Sequence, residues 1–404
     1  MKKTVLLVGT FDTKGSEFGF IRDLIEEREL NTLLMDTGIL GEPAIEPDIT
    51  ADEVARAGGS SLAQLREQGD RGAGVDVMIR GVQTLVRKLF DDGRFDAMLS
   101  LGGGAGTNIG TAGMRELPVG VPKVMVSTLA SGDVSSFVDV KDITMMYSVV
   151  DIAGLNRLSR RILANAAGAI CGMVETELPK RDEKPLIAAT MFGVTTPCVT
   201  RFRELMDQAG YETVVFHATG SGGRAMEGLI RDGYFTAVAD LTTTEWCDEV
   251  AGGVLSAGPN RMEAAAETGI PQVVSCGALD MVNFNAMDTV PERYKKRNLY
   301  KHNPTVTLMR TTVEECKEIA IRMAEKLNRA KGPVVLLLPL NGVSMMDRDG
   351  QPFYDPEADQ ALFDSLRESI APNVRLIELD LNINNPEFAK AAADELLGIM
   401  GSGK

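Results

Sequence analysis

Short apolar runs alternate with segments of helical periodicity along the first half of the chain. Apolar runs without polar alternation, which are typical of strands buried in a parallel sheet, predict strands at Thr4–Val8, Thr32–Met35, Ala97–Leu101 and Pro122–Thr128. Apolar residues three and four positions apart predict helices at Gly15–Arg28, Ala51–Gln68, Val75–Phe90 and Asp151–Val174, and Asp142–Val150 is a further extended stretch. This alternation indicates βαβ units and therefore a parallel sheet.

The second half of the chain repeats the first. Lys184–Gly220 aligns with Lys3–Gly38 almost without gaps, Leu229–Thr244 aligns with Leu89–Gly104, and Gly269–Cys276 aligns with Gly120–Ser127. The charged, proline-flanked segment Leu178–Pro185 lies between the two copies and is typical of a linker. Self-similarity of this length indicates that one structural unit has been duplicated.

The pattern and the repeat together predict an α/β fold with two duplicated, doubly wound (Rossmann-like) parallel-sheet domains and a cleft between them. We place the N-terminal domain at residues 1–177 and its pseudo-repeat at residues 178–404. Beyond the repeat, further strands are predicted at Pro333–Leu338 and Arg375–Asp380, with helices at Thr311–Leu327, Ala358–Ile370 and Pro386–Leu397.

One glycine-rich loop carries the strongest chemical signal. The predicted strand Ala97–Leu101 runs directly into Gly102, Gly103, Gly104, Ala105, Gly106 and Thr107. Consecutive glycines have no side chains to pack, so their use lies in close backbone approach or in N–H groups that point at an anion. A helix that begins near Thr107 adds its positive N-terminal end to the same place. The loop therefore predicts a phosphate cradle.

Other polar loops follow the predicted strands of both halves. Ligands of doubly wound sheets bind outside the carboxyl ends of the strands, so these loops are expected to surround the ligand. The predicted ligand-binding residues of the first half are Thr10, Asp12, Lys14, Gly102, Gly103, Gly104, Gly106, Thr107, Ser127 and Ser131. Those of the second half are Thr195, Thr242, Thr243, Thr244 and Arg224.

Spacing tests three known glycine motifs. The dinucleotide fingerprint GxGxxG fails because Ile109 stands where its third glycine is required, and the P-loop fails because no lysine follows the glycines. Gly103–Thr107 resembles the GG-D-GT loop of the phosphofructokinase and diacylglycerol/NAD kinase class, with Ala105 in place of the acidic residue. The resemblance favours nucleotide binding and leaves kinase chemistry open.

Charged residues at the strand ends complete the predicted site. Lys14, Arg224 and Arg261 are candidate cations for a triphosphate. Asp12 and Glu245 are the predicted Mg²⁺ ligands, and Glu245 and Asp240 are the predicted catalytic carboxylates.

Three further residues are candidate site residues because they lie at a strand end or at a helix start. Asp36 lies where a dinucleotide fold places a ribose-binding acid, and its repeat counterpart is His217, for which we favour a structural role. Cys198 lies at a predicted helix start, but no histidine base accompanies it.

Composition and charge narrow the possible partners. The 404 residues carry a net charge of −15, which opposes non-specific binding to nucleic acid or to an anionic membrane. Five scattered cysteines without a CxxC pair are typical of reduced thiols, and two histidines are too few for a histidine-rich metal site. Neither a signal peptide nor a membrane span is evident, so we expect a cytoplasmic protein.

Taken together, the motifs of both halves resemble those of one protein family. Gly9–Glu17, Gly102–Thr107, Met191–Pro197, His217–Glu227, Thr242–Glu245, Ala257–Arg261, Gly277–Phe284, His302–Arg310 and Gly342–Asp355 together resemble the Tm-1-like ATP-binding family, also called UPF0261. The resemblance covers essentially the whole chain. It implies two α/β subdomains, an ATP site between or beside them, and self-association as a homodimer or larger homo-oligomer. The plant member of that family binds ATP and a viral replication protein, and carries a barrel domain beyond this region.

Three functions follow as expectations. The first is a Mg-ATP-binding protein with its phosphates on Gly102–Thr107, acting as an ATP-dependent enzyme on a small metabolite. The second is a nucleotide-gated protein-binding module that does not consume ATP. The third is an enzyme that uses the same loops for a phosphorylated or carboxylated metabolite. In each case we expect the glycine-rich loop of the first half, Gly102–Thr107, to hold phosphate. Its counterpart in the second half, Thr242–Glu245, is expected to hold substrate or metal.

Overall fold

The computed structural model describes residues 2–179 and 183–401, so part of the predicted linker Leu178–Pro185 lies outside the described residues. Within it the chain divides into two compact units, Met1–Lys180 and Arg181–Lys404. Each unit is built on a parallel sheet with helices on both faces, which confirms the predicted α/β class.

The first unit has five parallel strands in the order β2-β1-β3-β4-β5. Its elements are β1 (Thr4–Gly9), α1 (Phe11–Glu26), β2 (Asn31–Asp36), α2 (Ala51–Ala57), α3 (Leu62–Gln68), α4 (Arg71–Asp91), β3 (Ala97–Gly102), α5 (Gly104–Arg115), β4 (Lys123–Ser127), α6 (Ser135–Val138), β5 (Thr144–Tyr147) and α7 (Arg157–Glu175). Alternate residues of β1 point to opposite faces: Leu7 packs with α1 and α7, whereas Leu6 and Val8 pack with α2, α4 and α5.

The second unit has six parallel strands in the order β14-β13-β9-β8-β6-β7. Its elements are β6 (Leu186–Met191), α8 (Thr196–Gln208), β7 (Glu212–His217), α9 (Ser221–Arg231), β8 (Ala237–Thr242), α10 (Glu245–Ala251), α11 (Ala264–Thr268), β9 (Gln272–Gly277), β10 (Met281–Phe284), β11 (Leu299–Asn303), β12 (Val306–Arg310), α12 (Val313–Leu327), β13 (Val334–Pro339), α13 (Pro356–Ser369), β14 (Val374–Leu379) and α14 (Pro386–Gly401). Read from the opposite edge, β7-β6-β8-β9 matches β2-β1-β3-β4, as the sequence repeat predicts.

Three predictions about elements need correction. The helix expected over Ala51–Gln68 is two helices, because Thr50 and Ser61 each cap a new helix and the chain turns between them. The helix expected from Asp151 begins only at Arg157, where the Asn156 side chain caps its first turn. The segment between β9 and α12 contains an antiparallel three-stranded sheet, β10-β12-β11, that the sequence analysis missed.

Candidate functional site

The candidate site lies at the switch point of the first sheet. The chain passes from β1 to β2 on one side and to β3 on the other, so the segments that follow β1 and β3 diverge. Open sheets of this order bind ligands where the segments diverge. A pocket of about 280 Å³ lies there, within the first unit. Its lining residues are Thr10, Asp12, Thr13, Lys14, Thr37, Ile39, Leu40, Arg71, Val75, Met78, Gly103, Gly104, Ala105, Gly106, Ile109 and Asp151.

The glycines of the loop have two different roles. A Cβ on Gly102 would lie 2.8 Å from the Cα of Gly106, so these two residues let the strand end and the helix start approach each other. A Cβ on Gly104 would meet nothing within 4 Å, and one on Gly103 would make only an ordinary 3.7 Å contact. Neither Gly103 nor Gly104 has a positive φ. The fold itself therefore does not require glycine at these two positions of the pocket wall.

The start of α5 presents a positive end to this pocket. Gly103 is the N-cap and has no side chain, so no side-chain hydrogen bond closes the first turn. The first N–H groups of a helix have no partner within the helix, and the helix dipole adds partial positive charge there. The backbone of Gly103–Gly106 is thus arranged to receive an anion.

Two cations line the same pocket. Lys14 departs from helical geometry inside α1, with φ −133°, and its Nζ donates to the carbonyl of Ile152. Arg71 is the first residue of α4 and is exposed. Together they place two positive charges in the wall of a pocket that also contains a helix N-terminus, a combination that suits a phosphate group.

Oxygen atoms without partners lie beside these cations. Oδ2 of Asp12 accepts hydrogen bonds from the amides of Leu40 and Gly41, at 2.9 and 3.1 Å, whereas its buried Oδ1 has no partner. The hydroxyl of Thr37 also has no partner, although its residue is only 2% exposed. Buried polar atoms usually have a hydrogen-bond partner, so these two oxygen atoms at the pocket are available to a ligand, an ion or a water.

Four predicted residues of the first unit do not line this pocket. Gly102 is buried in β3. The hydroxyls of Thr107 and Ser127 bond each other at 2.7 Å beneath the loop, where both residues are fully buried. Ser131 is exposed beyond β4. Thr107 and Ser127 therefore support the glycine loop from behind.

Asp36 has a structural environment. Its Oδ1 accepts hydrogen bonds from the amides of Phe11 and Gly38, at 2.9 and 2.8 Å. Burial raises the pKa of its carboxyl group above the usual value. The residue ties the end of β2 to the start of α1 and does not line the pocket.

The threonine-rich loop of the second unit, Thr242–Thr244, is buried. Thr242, Thr243 and Thr244 are fully buried, and so is Thr195. The hydroxyls of Thr195 and Thr242 lie 2.8 Å apart, and the hydroxyl of Thr243 donates to the carbonyl of Ser275. These hydroxyls are engaged within the unit, so in this structure they do not present a ligand surface.

The two predicted catalytic carboxylates lie in a buried ion cluster. The guanidinium of Arg261, whose residue is 2% exposed, contacts Asp240 at 2.6 and 2.7 Å and Glu245 at 2.6 Å. Glu227 lies 3.3 Å from the same guanidinium, and burial raises its pKa. Asp240 and Glu245 are 3% and 1% exposed. A substrate would have to open this cluster to reach either carboxylate.

Glu245 is the first residue of α10, which is the counterpart in the second unit of α5 in the first. It aligns with Ala105, and its Oε1 accepts from the amides of Gly220 and Gly223 at the start of α9, at 2.7 and 3.1 Å. A Cβ on Gly223 would lie 2.3 Å from Oε2 of Glu245, so that glycine is required by the carboxylate. The second unit thus supplies its own anion to a helix N-terminus, and Arg224 is exposed on the same turn.

Three other expectations concern a cysteine, a metal site and a membrane span. Cys198 is buried at the start of α8, and burial raises its thiol pKa to about 12, which opposes a nucleophilic role. Among residues 2–179 and 183–401, no three His, Cys, Asp or Glu side chains converge to hold a metal ion. No helix in those ranges is both long and apolar enough to cross a membrane.

Four polar residues of the pocket were not among the predicted ligand-binding residues: Thr13, Thr37, Arg71 and Asp151. Thr13 and Thr37 lie in segments that follow predicted strands, Gly9–Lys14 and Asp36–Gly38, and position was the signal for them. Arg71 had no motif around it, and Asp151 was assigned to a helix. Only the sheet order brings these segments together.

The fold and the pocket define a class: a protein of two doubly wound α/β units with a pocket at the switch point of the first. The first unit matches the model "Uncharacterised protein family (UPF0261) N-terminal domain" over residues 3–179, and the second matches the corresponding C-terminal domain over residues 184–400. The chain belongs to the UPF0261 family.

Relatives agree with this assignment over the whole length. A UPF0261 protein of Clostridium tetani is 55% identical over 402 residues, which cover 99% of this chain and 100% of the relative. A UPF0261 protein of Mesorhizobium japonicum is 49% identical, with 97% and 98% covered. The ToMV resistance protein Tm-1(GCR237) of Solanum lycopersicum is 43% identical over 337 residues, which are 81% of this chain and 45% of the tomato protein.

Similarity to solved structures is weak. A UDP-N-acetylglucosamine 2-epimerase from Rickettsia bellii aligns over 100% of this chain and 97% of its own, at 9% identity and a TM-score of 0.25. A likeness at this level carries no information about activity.

Proposed function

We propose that the chain binds ATP, with the phosphates on the backbone of Gly103–Gly106 at the start of α5. The observation that carries the proposal is that Gly103 and Gly104 line the pocket although nothing in the fold requires glycine at either position. Side chains there would cover the helix N-terminus, whereas glycine leaves its N–H groups accessible to an anion. Lys14 and Arg71 would neutralise part of the phosphate charge.

The remaining walls suit the rest of a nucleotide. Ile39, Leu40, Val75, Met78 and Ile109 contribute apolar surface to the pocket. Ligand pockets commonly combine apolar walls with a few placed polar groups. A purine would pack against this apolar surface while the phosphates remain at the helix N-terminus.

An adjoining groove gives space for a second molecule beside the pocket. A space of about 590 Å³ between α4 and α5 shares Arg71, Val75 and Ala105 with the pocket. A second small molecule in that groove would lie next to phosphates bound at Gly103–Gly106. We therefore propose ATP-dependent chemistry on a small metabolite, to be followed as ADP, AMP or phosphate release when candidate metabolites are added.

The direct test replaces Gly104 by leucine and measures ATP affinity by calorimetry. The new side chain has space in the fold, so the variant is expected to fold while losing at least about tenfold in affinity, since it covers a charge-assisted phosphate site. The matched control is Gly172→Leu in α7, where a Cβ also meets nothing within 4 Å. Unchanged ATP affinity in folded Gly104→Leu would refute the site.

A further inference from the structure

Two carboxylates line the pocket in which we place the phosphates, and their negative charge opposes phosphate binding. Asp12 follows β1 and Asp151 follows β5, and both contribute to the pocket that contains Lys14 and Arg71. The four charges sum to zero, so the pocket has no excess positive charge for a triphosphate. Carboxylates repel phosphate oxygens unless a cation lies between them.

The oxygen atoms around the pocket are the kind of ligand that a hard divalent cation prefers. Asp12 has a buried, unpaired Oδ1, and Thr37 is 2% exposed with an unpaired hydroxyl. Asp151 is exposed, and its Oδ1 accepts only from the amide of the next residue, Ile152, at 2.9 Å. An all-oxygen set of two carboxylates and a hydroxyl suits Mg²⁺, which takes one or two carboxylates and completes its shell with phosphates and waters.

The backbone before Asp151 fixes where that carboxylate lies. Val149 has φ +62°, in a region that a β-branched residue rarely adopts, and the amide of Val150 donates to the carbonyl of Ser148 across it at 2.6 Å. The hydroxyl of Ser148 also donates to the carbonyl of Val150, at 2.7 Å. Next along the chain, the carbonyl of Ile152 accepts from Nζ of Lys14. The turn therefore fixes the backbone before Asp151, and Lys14, a pocket residue, holds the backbone after it.

We propose that Asp12 and Asp151, with the hydroxyl of Thr37, hold a divalent cation that bridges the protein to the bound phosphates. This inference rests on the proposed function and replaces Glu245, which is paired with Arg261 in the second unit, by Asp151 of the first. The cation would neutralise both carboxylates, so that Lys14 and Arg71 face the phosphate charge.

The test measures ATP affinity by calorimetry in MgCl₂ and in EDTA, for the full chain and for Asp151→Asn. We expect Mg²⁺ to strengthen ATP binding to the unaltered chain, and Asp151→Asn to lose at least about tenfold of that enhancement, as expected when a metal ligand is removed. In EDTA the variant should bind ATP at least as tightly as the unaltered chain, because a repelling charge is gone.

The matched control is Asp23→Asn. Asp23 is exposed on α1 and lines neither the pocket nor the groove, so the substitution changes the charge of the same unit by the same amount. It should keep the Mg²⁺ enhancement. The inference is overturned if Asp151→Asn keeps the enhancement, if Asp23→Asn loses it equally, or if Asp151→Asn weakens binding alike in both buffers. If the unaltered chain binds no ATP in either buffer, the proposed function itself fails and the cation site falls with it.

Discussion

Three carboxylic acids of the second unit, Asp280, Asp347 and Asp359, are buried around a single guanidinium, that of Arg310. Arg310 lies 2.6 Å from Asp359 and 3.5 Å from Asp347, while Asp280 accepts from the hydroxyl of Ser344 at 2.7 Å. Burial is the main cause that raises the pKa of Asp280 to about 7 and that of Asp359 to about 8, and each is raised further by the charge of Asp347. One cation cannot balance three carboxylates out of water, so the cluster retains protons near neutral pH.

This ionisation predicts a pH-dependent stability. Because the folded-state pKa values exceed the unfolded ones, the contribution is fully present below about pH 4 and is lost as pH rises through 7 to 8. Between pH 5.5 and 8.5, the unfolding free energy of the second unit should fall by on the order of 2 kcal/mol. The single tryptophan, Trp246, is buried in the core of that unit, so its fluorescence during urea titration is the measurement.

The matched variant for this prediction is Asp280→Asn, which mimics the protonated acid. It should flatten the decline between pH 5.5 and 8.5. A stability that rises with pH in that window, or a slope that Asp280→Asn leaves unchanged, would contradict the assignment of shared protons to this cluster.

At the scale of elements, α4 carries Arg71, Val75 and Met78 to the pocket, and its position depends on a close crossing with α2. A Cβ on Gly81 of α4 would lie 2.0 Å from the carbonyl oxygen of Val54, and one on Gly58, after α2, would lie 2.1 Å from that of Val77. The two helices therefore touch through backbone at both glycines, and no side chain fits between them.

We expect Gly81→Ala to destabilise the first unit by about 1 to 3 kcal/mol, the usual cost of overpacking. It should also weaken ATP binding, because α4 must move and takes Arg71 with it. Gly172→Ala in α7 is the control: it meets no neighbour within 4 Å and should be neutral or stabilising, since alanine favours a helix interior. Circular dichroism during urea titration, compared with Trp246 fluorescence, separates the first unit from the second. Equal stability of the two variants would show that the crossing is not tight.

Elements differ in how far the sequence could predict them. The buried strands β1, β3 and β13 are continuous apolar runs and were identifiable as such. The strands β10 and β12 were not, because buried polar residues such as Asn283, Thr307 and Arg310 interrupt the apolar pattern. The break between α2 and α3 was missed because the caps Thr50 and Ser61 lie inside one long helical pattern.

Individual residues of the candidate site also differ in how far the sequence could predict them. Thr10, Asp12, Lys14 and the glycines could be predicted because each follows an identifiable strand in a polar or glycine-rich loop. Arg261 and Glu245 were equally plausible on that criterion, yet they are buried together. Sequence position places a charge at a strand end, but the choice between a ligand and an internal partner depends on contacts across the fold.

At the scale of the whole molecule, duplication has produced two copies of one architecture. The copies differ in the residues that stand at the switch point of each sheet. In the first copy the start of α5 is lined by glycine and opens on a pocket. In the second copy the residue that aligns with Ala105 is Glu245, whose carboxylate accepts from amides at the start of α9 and is neutralised by Arg261. We therefore assign phosphate binding to the first unit alone, whereas the sequence had suggested substrate or metal contacts at Thr242–Glu245 of the second unit as well.

Hydrogen exchange with and without Mg-ATP tests this asymmetry most directly. The account predicts slower amide exchange on ATP addition in Thr10–Lys14, in Gly103–Gly106 and around Arg71, where the phosphates and cation are placed. Thr242–Glu245 should show no change, since its hydroxyls and carboxylate are already paired. Protection in Thr242–Glu245 with none in Gly103–Gly106, or no protection in either segment at saturating Mg-ATP, would contradict the account.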